Sequence, residues 1–460
     1  MKALMIATEK LPVPPIRGGA IQTYIANVAP RLAQSGIDLT ILGRNDPELP
    51  NEEIRDGVRY VRVEGGMLDR YQESVTAFLA TERFDRIHLF NRPRLVLPVA
   101  TVAPDSRLSL SLHNEMFLPN KIDPTEARAA IAAVDRIATV SNFIGKGISD
   151  PYPEAGPKLR TIYSGVDAGQ FVPGWSANGK AMRDRLRQEH GLTGRQVVLF
   201  VGRLSPKKGA DILLRAMEIV AQSVPGAALV LVGSKWYGAD EMTDYVAYLQ
   251  NLAARSAVPV VATGFITPDQ VNQWFAAGDL FVCPSVWQEP LARVHYEAMA
   301  AGLPLITTRR GGNPEVVEGT GIGQVVDDPE SPEAMAQAIL GLLKSSSKRA
   351  AMGQAGRQLA LERFTWDRVA SEIGALWAEA DQEAMSPVTQ PTGEAGAAAG
   401  STGTEQGAGS KPQESTEQES SARQRSNSEQ KPSSGKKQSS GQKSRSEQKS
   451  GFDSGQRSGS

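Results

Sequence analysis

Short apolar runs, separated by helical patterns, recur along the first 310 residues and limit what this chain can fold into. The first set is Ala3–Ala7, Leu39–Leu42, Val58–Val63, Ile87–Phe90 and Leu108–Leu112. A second set restarts at Val197–Val201 and continues through Ala228–Val232, Val258–Thr263, Leu280–Pro284 and Leu305–Thr307. Runs this short and this apolar suit strands buried on both faces, and intervening helices supply the crossovers a parallel sheet needs. The expected fold class is therefore α/β, with two Rossmann-like doubly wound units and the polar segment near 173–195 as their connection. Helical patterns dominate after about residue 330. Thr365 is placed to cap a final helix that begins in Phe364-Thr-Trp-Asp-Arg-Val369, and Asp367 suits its dipole.

A chain of 460 residues can bury two cores of ordinary size. Its formal net charge of −1 gives no reason to expect a polyanionic partner, and no helix-turn-helix or zinc-finger spacing points to nucleic acid. The single Cys283 excludes an intramolecular disulfide, suits a reducing compartment and, inside an apolar run, reads as packing before nucleophile. The N-terminal apolar stretch is too short for a signal sequence, and no segment approaches membrane-spanning length. Residence in the cytoplasm is the expectation.

The chemistry concentrates in Trp287-Gln-Glu-Pro-Leu-Ala-Arg-Val-His-Tyr-Glu-Ala-Met-Ala-Ala-Gly302. Glu289 and Glu297 stand eight positions apart, a little over two helical turns, so both could look toward one end of one element and hold parts of a polyhydroxyl ligand. Gly302 and Pro304 are placed to end the helix, after which strand character resumes. Ligands of open α/β sheets bind outside the carboxyl ends of strands, and Glu289 follows such an end. So does Val201-Gly-Arg-Leu-Ser-Pro-Lys-Lys-Gly209. It brings Arg203, Lys208 and a helix N-terminus together as a seat for an anion, with Lys207 expected in solvent. His113 follows another apolar run. Gly18-Gly19, after the first, would let backbone amides approach a phosphate, with a plain turn as the alternative. No Asp-x-Asp occurs and no metal is implied, since Arg203 and Lys208 can supply the positive charge.

Glu289-Pro, Glu297-Ala-Met-Ala-x-Gly302-x-Pro304 and Gly311-Gly312-x-x-Glu315-Val316 together resemble the signature of the retaining GT-B glycosyltransferases of family GT4. The likeness spans residues 1 to roughly 380. Thr8-Glu-Lys-Leu-Pro-Val-Pro14, His113-Asn-Glu-Met-Phe117 and Gln288-Glu-Pro-Leu-Ala-Arg-Val-His295 are similar, more narrowly, to spore-coat-associated members from sporulating bacilli. The resemblance implies a GT-B arrangement facing a cleft: an acceptor-side domain over 1–180, a nucleotide-sugar domain over 181–363, and a helix over 364–384 crossing back to the first. It implies a nucleotide-sugar donor, with UDP-glucose as the default, and no other cofactor. Arg203 and Lys208 would hold the donor phosphates, Glu289 the transferred sugar, Glu297 the ribose, and His113 would lie near the donor sugar. Gly18 and Gly19 would close over the diphosphate. Gly264, Phe265 and Ile266 would contact the nucleobase, unless the last two simply pack in the core. Gly311, Gly312 and Glu315 would lie near the nucleotide, and His295 would be packing or helix surface. Leu291 and Ala292 occupy donor-contacting positions where many relatives read Phe-Gly, and the loop 233–238 and Tyr163-Ser164 also depart from the usual pattern. The acceptor, a glycan, lipid or protein, is not legible. Two rival readings remain: a structural coat protein that keeps the fold with weakened catalysis, and another nucleotide-sugar reaction such as epimerisation.

From about 385 to 460 the chain is largely Ser, Gly, Gln, Lys, Glu and Pro, with Phe452 its one aromatic residue, a composition too polar to offset its ordering entropy. A disordered tail is expected. Its Lys and Gln side chains suit attachment within an assembly, with spore-coat proteins as the partners the narrower likeness suggests. Truncation at 385 should then release the protein from that assembly in a fractionation assay while nucleotide binding persists; loss of both sinks the idea.

Overall fold

A computed structural model describes residues 1–234 and 243–385; most of the loop 233–238 and the tail beyond 385 lie outside the described residues. The first set of apolar runs forms an eight-stranded sheet of β1 (Lys2–Ile6), β2 (Asp38–Arg44), β3 (Glu52–Arg55), β4 (Val58–Val63), β5 (Arg86–Phe90), β6 (Arg107–Leu112), β7 (Arg136–Thr139) and β8 (Leu159–Thr161). Their order is β3-β4-β2-β1-β5-β6-β7-β8, and every pairing is parallel except β3 with β4. The second set forms six parallel strands: β9 (Gln196–Val201), β10 (Ala227–Val232), β11 (Val260–Ala262), β12 (Leu280–Cys283), β13 (Leu305–Thr308) and β14 (Gly323–Val326). Their order is β11-β10-β9-β12-β13-β14.

Central strands such as β5 and β10 are buried at every residue, because helices cover both faces of each sheet. Two apolar cores flank the first sheet, with Leu89 and Leu110 in one and Met5 and Ile41 in the other. Two more flank the second, divided between Leu199 and Val230 on one face and Val198 and Leu229 on the other. Strands β3, β7, β8 and β14 were not among the apolar runs. β3 is a largely exposed edge with the sequence Glu-Glu-Ile-Arg, and β7 buries an arginine and a threonine. Neither presents the apolar signature of a central strand.

The polar connection expected near 173–195 contains a helix, Ala177–Glu189, that packs against the helix Pro268–Ala277. Its arginines are structural: Arg187 donates to Asp279 at 2.6 Å, Arg183 pairs with the same carboxylate, and Asp279 also accepts the Val197 amide at the start of β9. The long polar side chains concealed this attachment in the sequence.

The helix Trp366–Met385 lies on the first lobe beside the helix Ala20–Gln34. Thr365 Oγ1 accepts the Arg368 amide at its start. Arg31 pairs with Asp367 at 2.8 Å, Arg86 and Arg107 donate to the Trp377 and Ala380 carbonyls at 3.0 Å each, and Arg86 also pairs with Asp381. Trp377, 1 % exposed, aims its indole N–H at Nδ1 of His88 at 3.2 Å. Nδ1 is thus the acceptor. The His88 proton sits on Nε2 and is donated to Ser111 Oγ at 2.7 Å. Burial, with the Arg86 and His113 charges adding to it, pushes His88 down to about 3. An unfolded histidine near 6.5 binds a proton that folded His88 refuses, so stability rises with pH between those values and is lost on acidification. His88→Gln should remove about 1.4 kcal/mol per pH unit from the slope of unfolding free energy below pH 6. Urea titrations at pH 7.0, 6.0 and 5.5 measure it, and equal slopes in both proteins would refute the assignment.

Candidate active site in the cleft between the lobes

Chain order reverses direction across the first sheet between β1 and β5, and across the second between β9 and β12. Crevices open at the carboxyl ends of strands at such switch points. After β9 the chain passes Arg203, makes a short turn over Pro206–Lys208 and enters the helix Ala210–Ser223. Gly209 sits between them in the left-handed region at φ 67°, where a Cβ would lie 2.0 Å from the Pro284 carbonyl oxygen. Only glycine allows this turn to press against the end of β12.

That approach joins the two loops chemically. Lys208 Nζ reaches both carboxylate oxygens of Glu289, at 2.7 and 2.9 Å, with the side chains 17 % and 8 % exposed. Ser285 Oγ donates to Glu289 at 3.1 Å, and the Trp287 indole N–H donates to the same oxygen. Lys207, expected in solvent, is exposed but stands 4.9 Å over the Trp287 ring. Arg203 lies on the same strand-end loop, five residues ahead of Lys208.

The two acids do not share a helix. Glu297 is in the helix Val294–Ala300, whereas Glu289 is held in the preceding loop. That loop is held by backbone contact from the later glycine loop, where the Gly312 amide donates to the Glu289 carbonyl at 2.8 Å. Gly311, at φ 57°, comes so close that a Cβ would fall 1.9 Å from that oxygen. Glu297 is 9 % exposed and accepts from Arg293 at 2.9 Å. Arg293 also lies close enough to His113 of the first lobe for its charge to act on that ring.

Ala292 is packed in the second-lobe core at 5 % exposure, and its amide donates to Asn313 Oδ1 at 3.1 Å. The methyl that distinguishes it from glycine therefore fills core space. Leu291 packs against the edge of the same core. His295 is fully buried between the Ala292 carbonyl and Thr307 Oγ1, each at 2.8 Å, so it is packing and not helix surface. Burial outweighs the Ala292 hydrogen bond and brings it down to about 4. Gly264 takes φ 67° and bridges Gly233; Phe265 beside it is 39 % exposed, while Ile266 packs on the core. Glu315 reaches the other lobe. Its carboxylate accepts the Asn142 and Phe143 amides at 2.8 Å each, at the start of the helix Asn142–Ser149, and the Tyr163 hydroxyl at 3.0 Å. Ser141 Oγ donates to the Pro290 carbonyl at 2.6 Å beside it.

In the first lobe, Gly18 and Gly19 have φ of 78° and 106° and lead directly into the helix Ala20–Gln34. Gln22 ties their loop down by donating to Thr8 Oγ1 and the Leu11 carbonyl. His113 follows β6, with its ring 4.8 Å edge-on from Tyr24 and its amide donating to Asn91 Oδ1 at 2.8 Å. Asn91 has φ 56°, a left-handed conformation that asparagine tolerates and that aims its side chain at His113. Burial, with the Arg293 charge added, pushes His113 down to about 3, so the ring is neutral at pH 7. Glu9 and Arg92 form a two-pronged pair at the carboxyl ends of β1 and β5, with Nη2 to Oε1 at 2.8 Å. Burial raises Glu9, but the Arg92 hydrogen bonds and charge outweigh it and hold the carboxyl below its ordinary value. Of these groups Glu9, Asn91 and Arg92 line a cleft of about 740 Å³ that Lys207, Trp287 and Pro290 of the second lobe also border, whereas His113, Gly18 and Gly19, like Lys208, Glu289 and Glu297, are not part of that lining.

Sequence reading missed Asn91, the Glu9–Arg92 pair and Arg293, although each follows a strand end or lies within a motif already singled out. Among the described residues no group of three or more His, Cys, Asp or Glu side chains could hold a metal ion, and no helix is long and apolar enough to cross a membrane.

Two doubly wound lobes, strand-end loops meeting at a cleft and a terminal helix returning to the first lobe define the GT-B fold. Residues 18–170 match the model of Glycosyltransferase Family 4, and residues 182–359 that of Glycosyl transferases group 1. The chain is 46 % identical over 373 residues to Spore coat protein SA of Bacillus subtilis, covering 81 % of this chain and 98 % of that protein. It is 30 % identical over 376 residues to a GDP-mannose-dependent alpha-(1-6)-phosphatidylinositol monomannoside mannosyltransferase of Mycolicibacterium smegmatis, covering 77 % and 93 %. The crystal structure of Anabaena Alr3699/HepE in complex with UDP-glucose superposes with a TM-score of 0.64 at 22 % identity, over 82 % of this chain and all of that one. The chain belongs to the GT4 glycosyltransferase family.

Removing one partner of a buried ion pair strands the other charge, at a cost of about 3–5 kcal/mol. Lys208→Met should destabilise by that order, and adding Glu289→Gln should recover more than half. Urea denaturation of the four proteins in the double-mutant cycle measures it; a coupling near zero contradicts the pairing.

Proposed function

We propose that this chain transfers a sugar, with retention of anomeric configuration and without a metal, from a nucleotide-diphosphate donor to an acceptor hydroxyl in the cleft. The observation that carries the reading is the Lys208–Glu289 pair, which joins the loops on both sides of the β9/β12 switch point. Bond cleavage to the anomeric carbon places negative charge on the departing diphosphate. Lys208 and Arg203 are fixed cations for that charge, and their orientation cost is met on folding. Glu289 orients Lys208 and faces the transferred sugar, and Glu297 with Arg293 takes the ribose. Neutral His113 offers the sugar a hydrogen-bonding ring that adds no positive charge beside an oxocarbenium-like carbon. Gly18, Gly19, Gly264 and the exposed Phe265 complete the donor seat at the loop ends, and Gly311 and Gly312 shape it by pressing on Glu289. UDP-glucose is the proposed donor, supported by the HepE complex; the mannosyltransferase relative is named for a GDP sugar, so both bases enter the test.

A second reading has one observation in its favour. Glu289 is already satisfied by Lys208, Ser285 and Trp287, and the relative at 46 % identity is named as a coat protein, so the fold could serve an assembly with little turnover.

Calorimetric titration of the full chain with UDP, GDP, UDP-glucose and GDP-mannose names the base, and Lys208→Ala should abolish the binding. Donor hydrolysis or transfer should fall roughly 10²–10³-fold in Glu289→Ala. Folded protein that binds none of the four, or turnover unchanged in Glu289→Ala, would favour the structural reading.

A further inference from the structure

We propose that the first-lobe side of the cleft takes an acceptor carrying an anionic group, a phosphate or carboxylate, held by Arg94 and Lys121; this rests on the transferase reading above. The cleft volume of about 740 Å³ is ample for a sugar-sized acceptor beside the donor. Its lining includes the cations Lys10, Arg92, Arg94, Lys121 and Lys207 against the carboxylates Glu9 and Glu115. Most of these have other duties. Arg92 is consumed by Glu9, Lys10 donates to the Gly66 carbonyl at 3.0 Å and lies 3.4 Å from Glu9, and Lys207 stands over Trp287.

Arg94 and Lys121 are left to face a ligand. Arg94 follows β5 in the short turn Pro93–Leu95, is half exposed, and reaches its nearest carboxylate, Glu126, only at 3.7 Å. Lys121 is exposed just before the helix Pro124–Ala133, which carries Glu126, and makes no ion pair among the described residues. The two cations therefore border one end of the cleft. Met116, Leu118 and the second lobe's Trp287 add apolar wall to the same lining. A low-dielectric wall beside two cations focuses a field that favours an anion and leaves a neutral glycoside unaided. Arg94 and Lys121 line the cleft and Lys208 does not, so donor phosphate and acceptor charge are received on different loops.

The test uses the full chain held in saturating UDP, so that the donor phosphate seat is filled. Glucose 6-phosphate and neutral methyl α-glucoside are titrated by calorimetry into the native protein and into the double variant Arg94→Gln/Lys121→Gln. Sedimentation with phosphatidylglycerol or phosphatidylcholine vesicles forms a second arm. The expected result is binding of glucose 6-phosphate, or of phosphatidylglycerol vesicles alone, that weakens at least tenfold in the double variant while UDP affinity is unchanged. The soluble probe would assign a free phosphate and the vesicle a lipid headgroup. Equal binding of the charged and neutral probes, anion binding indifferent to the double variant, or no anion binding in either arm overturns the proposal. Failure of UDP to bind is read separately in the same titrations and strikes the donor reading instead; the double variant then still reports on the acceptor end.

Discussion

The contact between Lys208 and Glu289 is where the second lobe becomes a site. Each residue belongs to a loop after a different strand, and β9 and β12 are brought side by side only because the sheet order reverses there. Two glycines make the contact possible. Gly209 lets the Lys208 turn press on the end of β12, and Gly311 lets a third loop press on the backbone of Glu289. The ion pair, with Ser285 and Trp287 donating to it, fixes a buried carboxylate that would otherwise be costly, and in doing so fixes the loops at the β9/β12 switch point.

Polar contacts and the helix Trp366–Met385 both tie the lobes together. Glu315 reaches across to the start of the helix Asn142–Ser149, where two amides and the Tyr163 hydroxyl meet its carboxylate. Helix-end amides and a carboxylate are complementary in charge, so this contact holds the two lobes together at that point. The helix Trp366–Met385 differs in kind. Buried Trp377 and the Arg86–Asp381 and Arg31–Asp367 pairs attach it to the first lobe as a permanent part of that core. The helix is thus covalently continuous with the second lobe and packed on the first.

The central strands were legible because parallel strands buried on both faces are continuous apolar runs, as Ala227–Val232 is. Strands β3 and β7 escaped notice since one is an exposed edge and the other buries Arg136. The helix Ala177–Glu189 read as a linker because its attachment is made by Arg183 and Arg187, whose charge hides their burial. Among site residues, Lys208 and Glu289 could be named from motif and strand end. The companions Asn91, Arg92 and Arg293 also follow a strand end or lie within a motif, but their partners do not show there, because an arginine paired inside a cleft looks the same in sequence as one in solvent.

The sequence by itself determined two doubly wound units, the family, and the presence of a basic loop and an acidic loop after strand ends. These follow from local patterns: hydrophobic period, glycine and proline at turns, and residue types at fixed spacing. Only the tertiary structure decided which of those groups meet. It put Lys208 on Glu289, turned Glu315 toward the other lobe and buried His295 beside Thr307. Such pairings join residues as far as 173 positions apart, as Asn142 and Glu315 are, and are set by strand order and backbone approach. A local pattern carries neither.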